Sequence, residues 1–208
     1  MNGYYYFSIT CVKLLSRILL RPVIEGEANV PREGGFILAS NHVSYFDPPF
    51  VGSFSPREMF FMAKEELFRN KAFGWLIWQH NARPIKRGAV DRQAIKMGLD
   101  SIARGYGLIL FPEGTRSLTD QLLPPKAGLG LLAHKARCPV IPMYHHGSNK
   151  LRDCMWGRDQ FGITFGEPLS AEWISSLPSE RASYDLISAT AMDRIAGLRD
   201  RYLVGRKL

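Results

Sequence analysis

Short apolar runs recur along the chain, and segments of helical periodicity lie between them. Apolar runs bounded by turn residues predict buried strands, and apolar residues spaced three or four apart predict helices. Strands are predicted at 35–40, 59–63, 107–111, 139–144 and 161–165, with a weaker one at 82–85. Helices are predicted at 90–104, 129–136 and 186–203. This alternation is typical of an α/β fold, here a single-domain αβ sandwich with a largely parallel central sheet flanked by helices.

The N-terminal segment has a different pattern. Residues 4–20 are mostly apolar, but Lys13 and Arg17 interrupt them, and Arg21 follows at the same spacing of four. A membrane-spanning helix needs about 20 apolar residues with few charges, so this segment is a poor span. We predict an amphipathic helix at the membrane interface, with tyrosines at headgroup level. The alternative is an amphipathic helix that packs on its own domain. The predicted division is therefore a membrane-associating helix at 1–22 and a globular domain at 23–208.

Composition narrows the choice of partners. The 208 residues include 27 Lys and Arg against 19 Asp and Glu, and the net charge of +8 favours an anionic partner. The sequence has no recognised nucleic-acid motif, and its aromatics are not interleaved with basic clusters, so we expect no nucleic acid partner. Three cysteines far apart give neither a disulfide framework nor a metal-binding pair, which favours a reducing, cytosolic compartment. Nothing in the sequence indicates an oligomeric state.

A histidine and an aspartate form the first candidate site. His42 directly follows the strand at 35–40, and ligands of α/β folds usually bind at that edge of the sheet. Pro48 disfavours helical geometry at Asp47 and can itself begin a helix, so residues 41–47 form a turn that can fold Asp47 back to His42. The carboxylate would fix the tautomer of the ring and leave its other nitrogen as a base. Alternatively, Asp47 only caps the following helix.

A turn after the strand at 107–111 forms the second candidate site. Gly114 allows a sharp turn, and backbone N–H groups, the Thr115 hydroxyl and the Arg116 guanidinium are donors suited to a phosphate. Glu113 has the wrong charge for a phosphate ligand and is expected to hold an arginine or to accept from a substrate hydroxyl. The alternative for each basic residue is a solvated loop.

Taken together, these segments resemble the glycerolipid acyltransferase family, to which the bacterial 1-acylglycerol-3-phosphate acyltransferases belong. The family carries an NHxxxxD block, a block ending in arginine and glycine, an FPEGTRS block and a late V-I-P block. The matching segments here are Asn41–Asp47, Pro84–Gly88, Phe111–Ser117 and Val140–Gly147, with further likeness at Lys64–Leu67 and Lys126–Gly128. The late block departs from the family pattern, because His145 and His146 stand where an apolar residue usually precedes the glycine.

The resemblance implies an enzyme that moves an acyl group from acyl-CoA or acyl carrier protein to the free hydroxyl of lysophosphatidic acid, giving phosphatidic acid for phospholipid biosynthesis. His42, oriented by Asp47, would act as the base, with no cofactor, no metal and no covalent acyl-enzyme. The residues assigned to the substrate site on this basis are Lys64, Arg87, Glu113, Gly114, Thr115, Arg116 and Lys126. Among them Arg87, Thr115 and Arg116 would bind the acceptor phosphate, and Glu113 would shape the site. The resemblance also implies a peripheral protein on the cytoplasmic face of an anionic membrane, and residues 23–208 become the acyltransferase domain.

Several alternatives stay open from the sequence. Another lysophospholipid or glycerol 3-phosphate fits a base beside an anion site as well as lysophosphatidic acid does. A serine hydrolase would use Ser44 or Ser117, but no G-x-S-x-G elbow occurs. A metal hydrolase would recruit the adjacent histidines at 145 and 146, without an HExxH motif. A non-catalytic membrane-binding protein is the main alternative from another class.

Overall fold

A computed structural model describes residues 3–85, 92–119 and 121–205. The strands in these residues are β1 Val23–Glu25, β2 Phe36–Ser40, β3 Met59–Lys64, β4 Ala82–Ile85, β5 Gly107–Leu110, β6 Val140–His146 and β7 Gly162–Phe165. The α-helices are α1 Gly3–Leu19, α2 Asp47–Phe54, α3 Lys71–Gln79, α4 Arg92–Ala103, α5 Gly128–Ala136, α6 Leu151–Met155, α7 Ala171–Ser176 and α8 Arg181–Gly205. Short 3₁₀ turns lie at Glu27–Asn29 and Glu65–Phe68.

The described strands form one sheet in the order β1-β7-β6-β2-β5-β3-β4. Neighbouring strands are parallel except β6 and β7, which are antiparallel. The α/β fold with a largely parallel sheet flanked by helices is confirmed, and each predicted strand is present, including the weak one at Ala82–Ile85. Strand β1 was not predicted, because its three residues are too few for a periodic signal and none of them is buried.

Both faces of the sheet are covered, so the central strand β2 is apolar up to Ser40, where it reaches the edge of the sheet. Every residue of β2 is buried, and alternate residues enter different cores, as the two-residue period of a strand requires. Ile37 and Ala39 pack with residues of α5 and α8, whereas Phe36 and Leu38 pack with residues of α2. Helix α8 contributes fully buried Ile187, Ala191, Ile195 and Leu198 at helical spacing.

Helix α1 packs on the domain with one face and leaves another face exposed. It contacts α2, and Tyr5 is buried with its hydroxyl oxygen accepting from the backbone N–H of Met59 at 2.9 Å. The expectation that all the tyrosines lie at headgroup level is therefore wrong for Tyr5, because burial at the start of β3 gives its hydroxyl a backbone partner. Beyond α1 the chain enters β1, where Val23 N–H donates to the Phe161 carbonyl at 3.0 Å, so both ends of the helix are tied to the sheet.

The exposed face of α1 is apolar. Its members recur at helical spacing and are Phe7, Cys11, Leu14, Leu15 and Ile18. No helix in the described part of the chain is both long and apolar enough to cross a bilayer.

Candidate active site

The candidate residues meet at one edge of the sheet. Strands β2, β5 and β6 are parallel neighbours, so their carboxyl ends point the same way. The turn at 41–47 follows β2, the turn at 111–117 follows β5, and residues 145–148 end and follow β6. Segments far apart in the sequence are therefore brought into direct contact at this edge.

The turn after β2 brings His42 and Asp47 together. Nδ1 of His42 lies 2.7 Å from Oδ2 of Asp47, and the same oxygen accepts from the backbone N–H groups of Val43 at 2.7 Å and Ser44 at 2.9 Å. Asp47 begins α2 but makes no side-chain cap, because its acceptors face the turn that precedes the helix. The expected fold-back is present, and the alternative that Asp47 serves only as a helix cap is wrong.

The surroundings of Asp47 keep its carboxylate charged despite complete burial. Burial by itself raises the pKa of Asp47, but attraction to His145 in its protonated form and hydrogen bonds from His42, Ser148 and Ser44 lower it. The net pKa lies below its ordinary value, so Asp47 is ionised at neutral pH. An ionised Asp47 accepts from Nδ1–H of His42, which leaves Nε2 with its lone pair as the basic atom.

The His42 ring and backbone are both held in place. The ring stacks on Phe111 with centroids 4.0 Å apart and planes 16° apart. The backbone N–H of His42 donates to Oε1 of Glu113 at 2.9 Å, and its carbonyl accepts from Ser117 N–H at 2.7 Å. The turn after β5 therefore positions the base as well as forming its own site.

Glu113 differs from the sequence expectation. It is buried, and while Oε1 accepts from His42, Oε2 accepts from the backbone N–H of Leu123 at 3.0 Å. Its oxygens accept from two backbone amides and neither holds an arginine, so these contacts are those of a residue that shapes the site. Burial raises the pKa of Glu113, and the hydrogen bonds from Leu123 and His42 oppose that effect.

The predicted anion turn has a glycine at its centre and cations around it. Gly114 has φ of +69°, and a Cβ there would lie 2.9 Å from Cδ of Lys126, so the lysine side chain lies directly over the turn. Lys126 N–H also donates to the Pro112 carbonyl at 2.9 Å. Arg116 places its guanidinium carbon 3.5 Å from the Tyr45 ring centroid, which ties it to the turn carrying His42. Thr115 is exposed at the same turn.

Of the other two predicted binding residues, one lies apart from this group and one cannot be placed. Lys64 is exposed at the end of β3, where its strand position pairs with Ile85, and it does not line the cleft described next. Arg87 lies outside the described residues, together with the rest of its arginine–glycine block.

An apolar cleft of about 880 Å³ opens beside His42. Its walls come from β3, β4, β5, α4, α5 and the start of α8, which contributes Arg181, Tyr184 and Asp185. His42, Gly114 and Lys126 line it where the turns after β2 and β5 meet. The apolar lining includes Met62, Ile85, Ile95, Ile109, Leu129, Leu131 and Leu132. Trp75 and Trp78 are exposed on α3 and do not line the cleft. An apolar cleft with a few polar groups suits a ligand with a hydrocarbon chain and a charged head.

The sequence did not reveal how the residues after β6 contribute. Three hydrogen bonds join Asn41 and His145. Asn41 Nδ2 donates to the His145 carbonyl at 3.0 Å, His145 N–H donates to Asn41 Oδ1 at 2.9 Å, and His145 Nε2 donates to the Asn41 carbonyl at 3.0 Å. Ser148 donates its hydroxyl to Oδ1 of Asp47 at 2.6 Å. The only signal was the departure at His145 and His146 from the pattern of the late block. His146 points elsewhere, to Asp159 at 3.1 Å, and the described residues hold no cluster of metal-ligating side chains.

Comparison with known proteins identifies the family. Residues 21–146 match the family model described as Acyltransferase. A 1-acyl-sn-glycerol-3-phosphate acyltransferase of Bacillus subtilis is 27% identical over 177 residues, which cover 85% of this chain and 87% of that protein. The enzyme of the same name from Streptococcus pneumoniae is 30% identical over 72% of this chain, which spans 55% of that protein.

One further relative and one solved structure are also similar to this chain. A lyso-ornithine lipid O-acyltransferase of Pseudomonas aeruginosa is 34% identical over 58% of this chain and 45% of its own length. The crystal structure of a 1-acyl-sn-glycerophosphate acyltransferase from Thermotoga maritima has the same fold, with a TM-score of 0.72 at 24% identity, over 97% of this chain and 81% of that one. With more than half of its residues matched by the family model, and with a histidine–aspartate pair at the mouth of an apolar cleft, the chain belongs to the Acyltransferase family.

Proposed function

We propose that this protein transfers a fatty acyl group from acyl-CoA or acyl carrier protein to the free glycerol hydroxyl of lysophosphatidic acid, giving phosphatidic acid. The observation that carries the proposal is the contact of 2.7 Å between His42 and a buried, ionised Asp47, beside an apolar cleft. The names of the similar proteins from Bacillus subtilis and Streptococcus pneumoniae support the same acceptor.

The reaction follows from the protonation states of the pair. Nε2 of His42 takes the proton of the acceptor hydroxyl as the oxygen attacks the thioester carbonyl carbon. A new C–O bond forms and the C–S bond breaks, and the proton on His42 passes to the departing thiolate. Asp47 stabilises the imidazolium that forms in between. General-base help of this kind supplies roughly 10²–10⁴-fold in rate, and holding both substrates together supplies much of the rest.

The cations at the turn favour a phosphate-bearing acceptor. Lys126 lies over Gly114, and Arg116 is held on Tyr45 beside the turn that carries the base. Backbone N–H groups and the Thr115 hydroxyl add neutral donors. By the family pattern Arg87 joins them. A lysolipid whose headgroup carries no phosphate would leave these positive charges without a phosphate partner.

The apolar cleft gives the hydrocarbon chain a place beside the base. Burying a chain removes apolar area from water at roughly 25 cal/mol per Å², so contacts along the cleft contribute to substrate binding. Coenzyme A and the acyl carrier protein are substrates in this scheme, and the proposed reaction uses no cofactor or metal.

We also infer that the protein associates peripherally with the cytoplasmic face of a membrane through α1 and α3. Phe7, Leu14 and Ile18 are exposed on α1, and Trp75, 56% exposed on α3, adjoins them through a ring contact of 5.5 Å with Tyr4. Apolar patches of this kind on a basic protein suit an anionic lipid surface. The location would place the enzyme where its lipid acceptor and product reside.

A thiol-release assay tests the proposed activity. Purified protein with acyl-CoA and lysophosphatidic acid should release thiol and form phosphatidic acid, and His42→Ala should lower the rate roughly 10²–10⁴-fold. His134→Ala is the matched control and should keep full activity, because His134 does not line the cleft: its Nε2 bonds the Leu177 carbonyl and its ring contacts Tyr184. No thiol release by the parent protein, or full activity in His42→Ala, would refute the proposal. Glycerol 3-phosphate and a phosphate-free lysolipid, tested in parallel, should be poorer acceptors.

A vesicle co-sedimentation assay tests the membrane association. The parent protein should sediment with anionic vesicles more than with zwitterionic ones, and Ile18→Glu should reduce the bound fraction. Leu186→Glu is the control, because Leu186 is similarly apolar and exposed but lies on α8, which covers the other face of the sheet. Equal binding by all three proteins would contradict the proposed surface.

A further inference from the structure

The carboxylate of Asp47 is held on the side away from His42 as well as on the side facing it. While Oδ2 accepts from His42 and two backbone N–H groups, Oδ1 accepts from Ser148 at 2.6 Å. Ser148 is 1% exposed, and it is the one side chain in the described residues that donates to this oxygen. Losing it would leave a buried, charged oxygen without that partner, which is costly.

The turn after β6 directs Ser148 to this position. Gly147 has φ of +91°, and a Cβ there would lie 2.8 Å from Sγ of Cys154. The turn therefore requires glycine for both its conformation and its packing. The chain reverses within two residues of β6 and carries the serine hydroxyl back under Asp47.

His145 lies against the remaining side of the Asp47 carboxylate, and its ring is neutral. Its Nε2 lies 3.0 Å from the Asn41 carbonyl and 3.6 Å from Oδ2 of Asp47. Burial lowers the pKa of His145, although the charge of Asp47 opposes this, so the ring is neutral at neutral pH. With its proton on Nε2, the ring presents an acceptor at Nδ1, 3.5 Å from Ser148, whose single proton goes to the much closer Asp47.

We propose that Ser148 and His145 are positioning residues for the His42–Asp47 pair. The χ2 torsion of aspartate is broad, so hydrogen bonds must fix the plane of the carboxylate. The hydrogen bond from Ser148 fixes the position of Oδ1 of Asp47, and Oδ2 is thereby kept directed at Nδ1 of His42. This contact holds the His42 ring in the Nδ1–H tautomer. His145 locks Asn41, the residue before the base, to β6. The role in turnover rests on the proposed function, whereas the role in fixing the tautomer does not.

Nitrogen NMR of protein labelled in its five histidines tests the positioning directly. In the parent protein the signals missing from His42→Gln identify His42, which should be a single Nδ1–H tautomer at pH 7. Ser148→Ala should give a mixture of tautomers at His42, and Ser148→Thr, which restores the hydroxyl, should return the single form. Ser101→Ala is the matched control, because Ser101 is a buried serine whose hydroxyl donates only to the Gly98 carbonyl. An unchanged single tautomer in Ser148→Ala would overturn the proposal.

Steady-state kinetics provide the second measurement. Ser148→Ala should lower kcat roughly 10- to 100-fold, the range typical for loss of a hydrogen bond to a charged group, with KM for both substrates within about twofold. His145→Phe keeps the ring but removes its N–H, and should lower kcat by a smaller factor. If Ser148→Ala raised KM for both substrates and left kcat unchanged, a positioning role would be contradicted. Absence of acyl transfer in the parent protein would refute the proposed function instead, and the NMR result would still decide the positioning.

A third variant keeps the test decisive if Ser148→Ala does not fold. Ser148→Cys retains the side-chain volume but offers only a weak donor. Its His42 tautomer and kcat should move in the same direction as expected for Ser148→Ala. Parent-like values in a folded Ser148→Cys would count against the proposal.

Discussion

Replacing Asp47 with asparagine would separate the charge of this residue from its geometry. An asparagine has one oxygen and one NH₂ group, and the site decides which way they point. Oδ2 faces the backbone N–H groups of Val43 and Ser44, so the amide oxygen must lie there. The NH₂ group then faces the Ser148 oxygen, which can rotate its hydroxyl and accept. His42 keeps its Nδ1–H bond, and only the negative charge is lost.

The charge alone sets the expected size of the effect. With Nδ1 and Oδ2 2.7 Å apart, the centres of an imidazolium and a carboxylate lie about 4 Å apart. Two unit charges at that separation interact by about 4 kcal/mol at an effective dielectric constant of about 20. Because the imidazolium exists only as the reaction proceeds, its lost stabilisation should lower kcat by roughly 10³-fold. A reversed tautomer would cost more, about 10⁴-fold in a comparable triad.

The assay is kcat for acyl transfer, combined with the NMR tautomer of His42. Asp47→Asn should show the Nδ1–H tautomer and the loss of roughly 10³-fold. Asp159→Asn is the matched control, because Asp159 pairs with His146 at 3.1 Å in a second histidine–aspartate contact that does not line the cleft. A loss of tenfold or less in Asp47→Asn, or an Nε2–H tautomer, would refute the reasoning.

Three further variants test the acceptor site, the cleft and the pH dependence of folding. Arg116→Ala should raise KM for lysophosphatidic acid roughly 10- to 100-fold and leave KM for the acyl donor almost unchanged, because a charged hydrogen bond to phosphate is lost. Ile95→Trp narrows the apolar cleft and should shift preference to shorter acyl donors in a chain-length panel. Because the net pKa of Asp47 is lowered, its ionised form stabilises the fold above the unfolded value of 3.8, and that stability is lost as pH falls through the folded pKa. Denaturant unfolding should therefore show Asp47→Asn to be more destabilised at pH 7 than at pH 3.

Each of these variants has its own check. Arg116→Lys keeps the charge but not the bidentate geometry, so its KM should be intermediate. Equal rises in both KM values would contradict the assignment of Arg116. Ile95→Leu conserves volume and should leave the chain-length profile as it was. An unfolding difference between parent and Asp47→Asn that stays constant from pH 7 to pH 3 would contradict the direction of the Asp47 shift.

The sequence could predict the elements whose signal is local. Apolar runs located the inner strands, and Pro48 indicated the turn that returns Asp47 to His42. The same reasoning missed β1, whose pairing with β7 depends on a partner about 140 residues away rather than on its own three residues. The local sequence pattern therefore predicts strands that are apolar and buried. It does not predict a strand such as β1, which forms only because it pairs with a distant strand.

In the candidate site, too, some contacts could be predicted from the sequence and others could not. Residue chemistry predicted the contact of His42 with Asp47 and the turn at Gly114, but it could not give the partners of Glu113, which are backbone amides. The role of Ser148 was equally hidden, because a serine two residues after a strand has no distinctive pattern until the parallel sheet places it under Asp47. Contacts that side chains make with distant backbone groups cannot be predicted from the spacing of residue types along the sequence.

The attachment of α1 at both ends has a consequence for enzyme kinetics. Because Tyr5 is bonded at the start of β3 and Val23 at β7, the helix cannot swing independently of the sheet that carries His42. A protein held on a bilayer through that helix would present its cleft at a constant angle, and its acceptor would arrive by lateral diffusion within one leaflet. We expect the rate to follow the mole fraction of lysolipid in the surface, so diluting the vesicles with an inert lipid should slow turnover at constant bulk concentration.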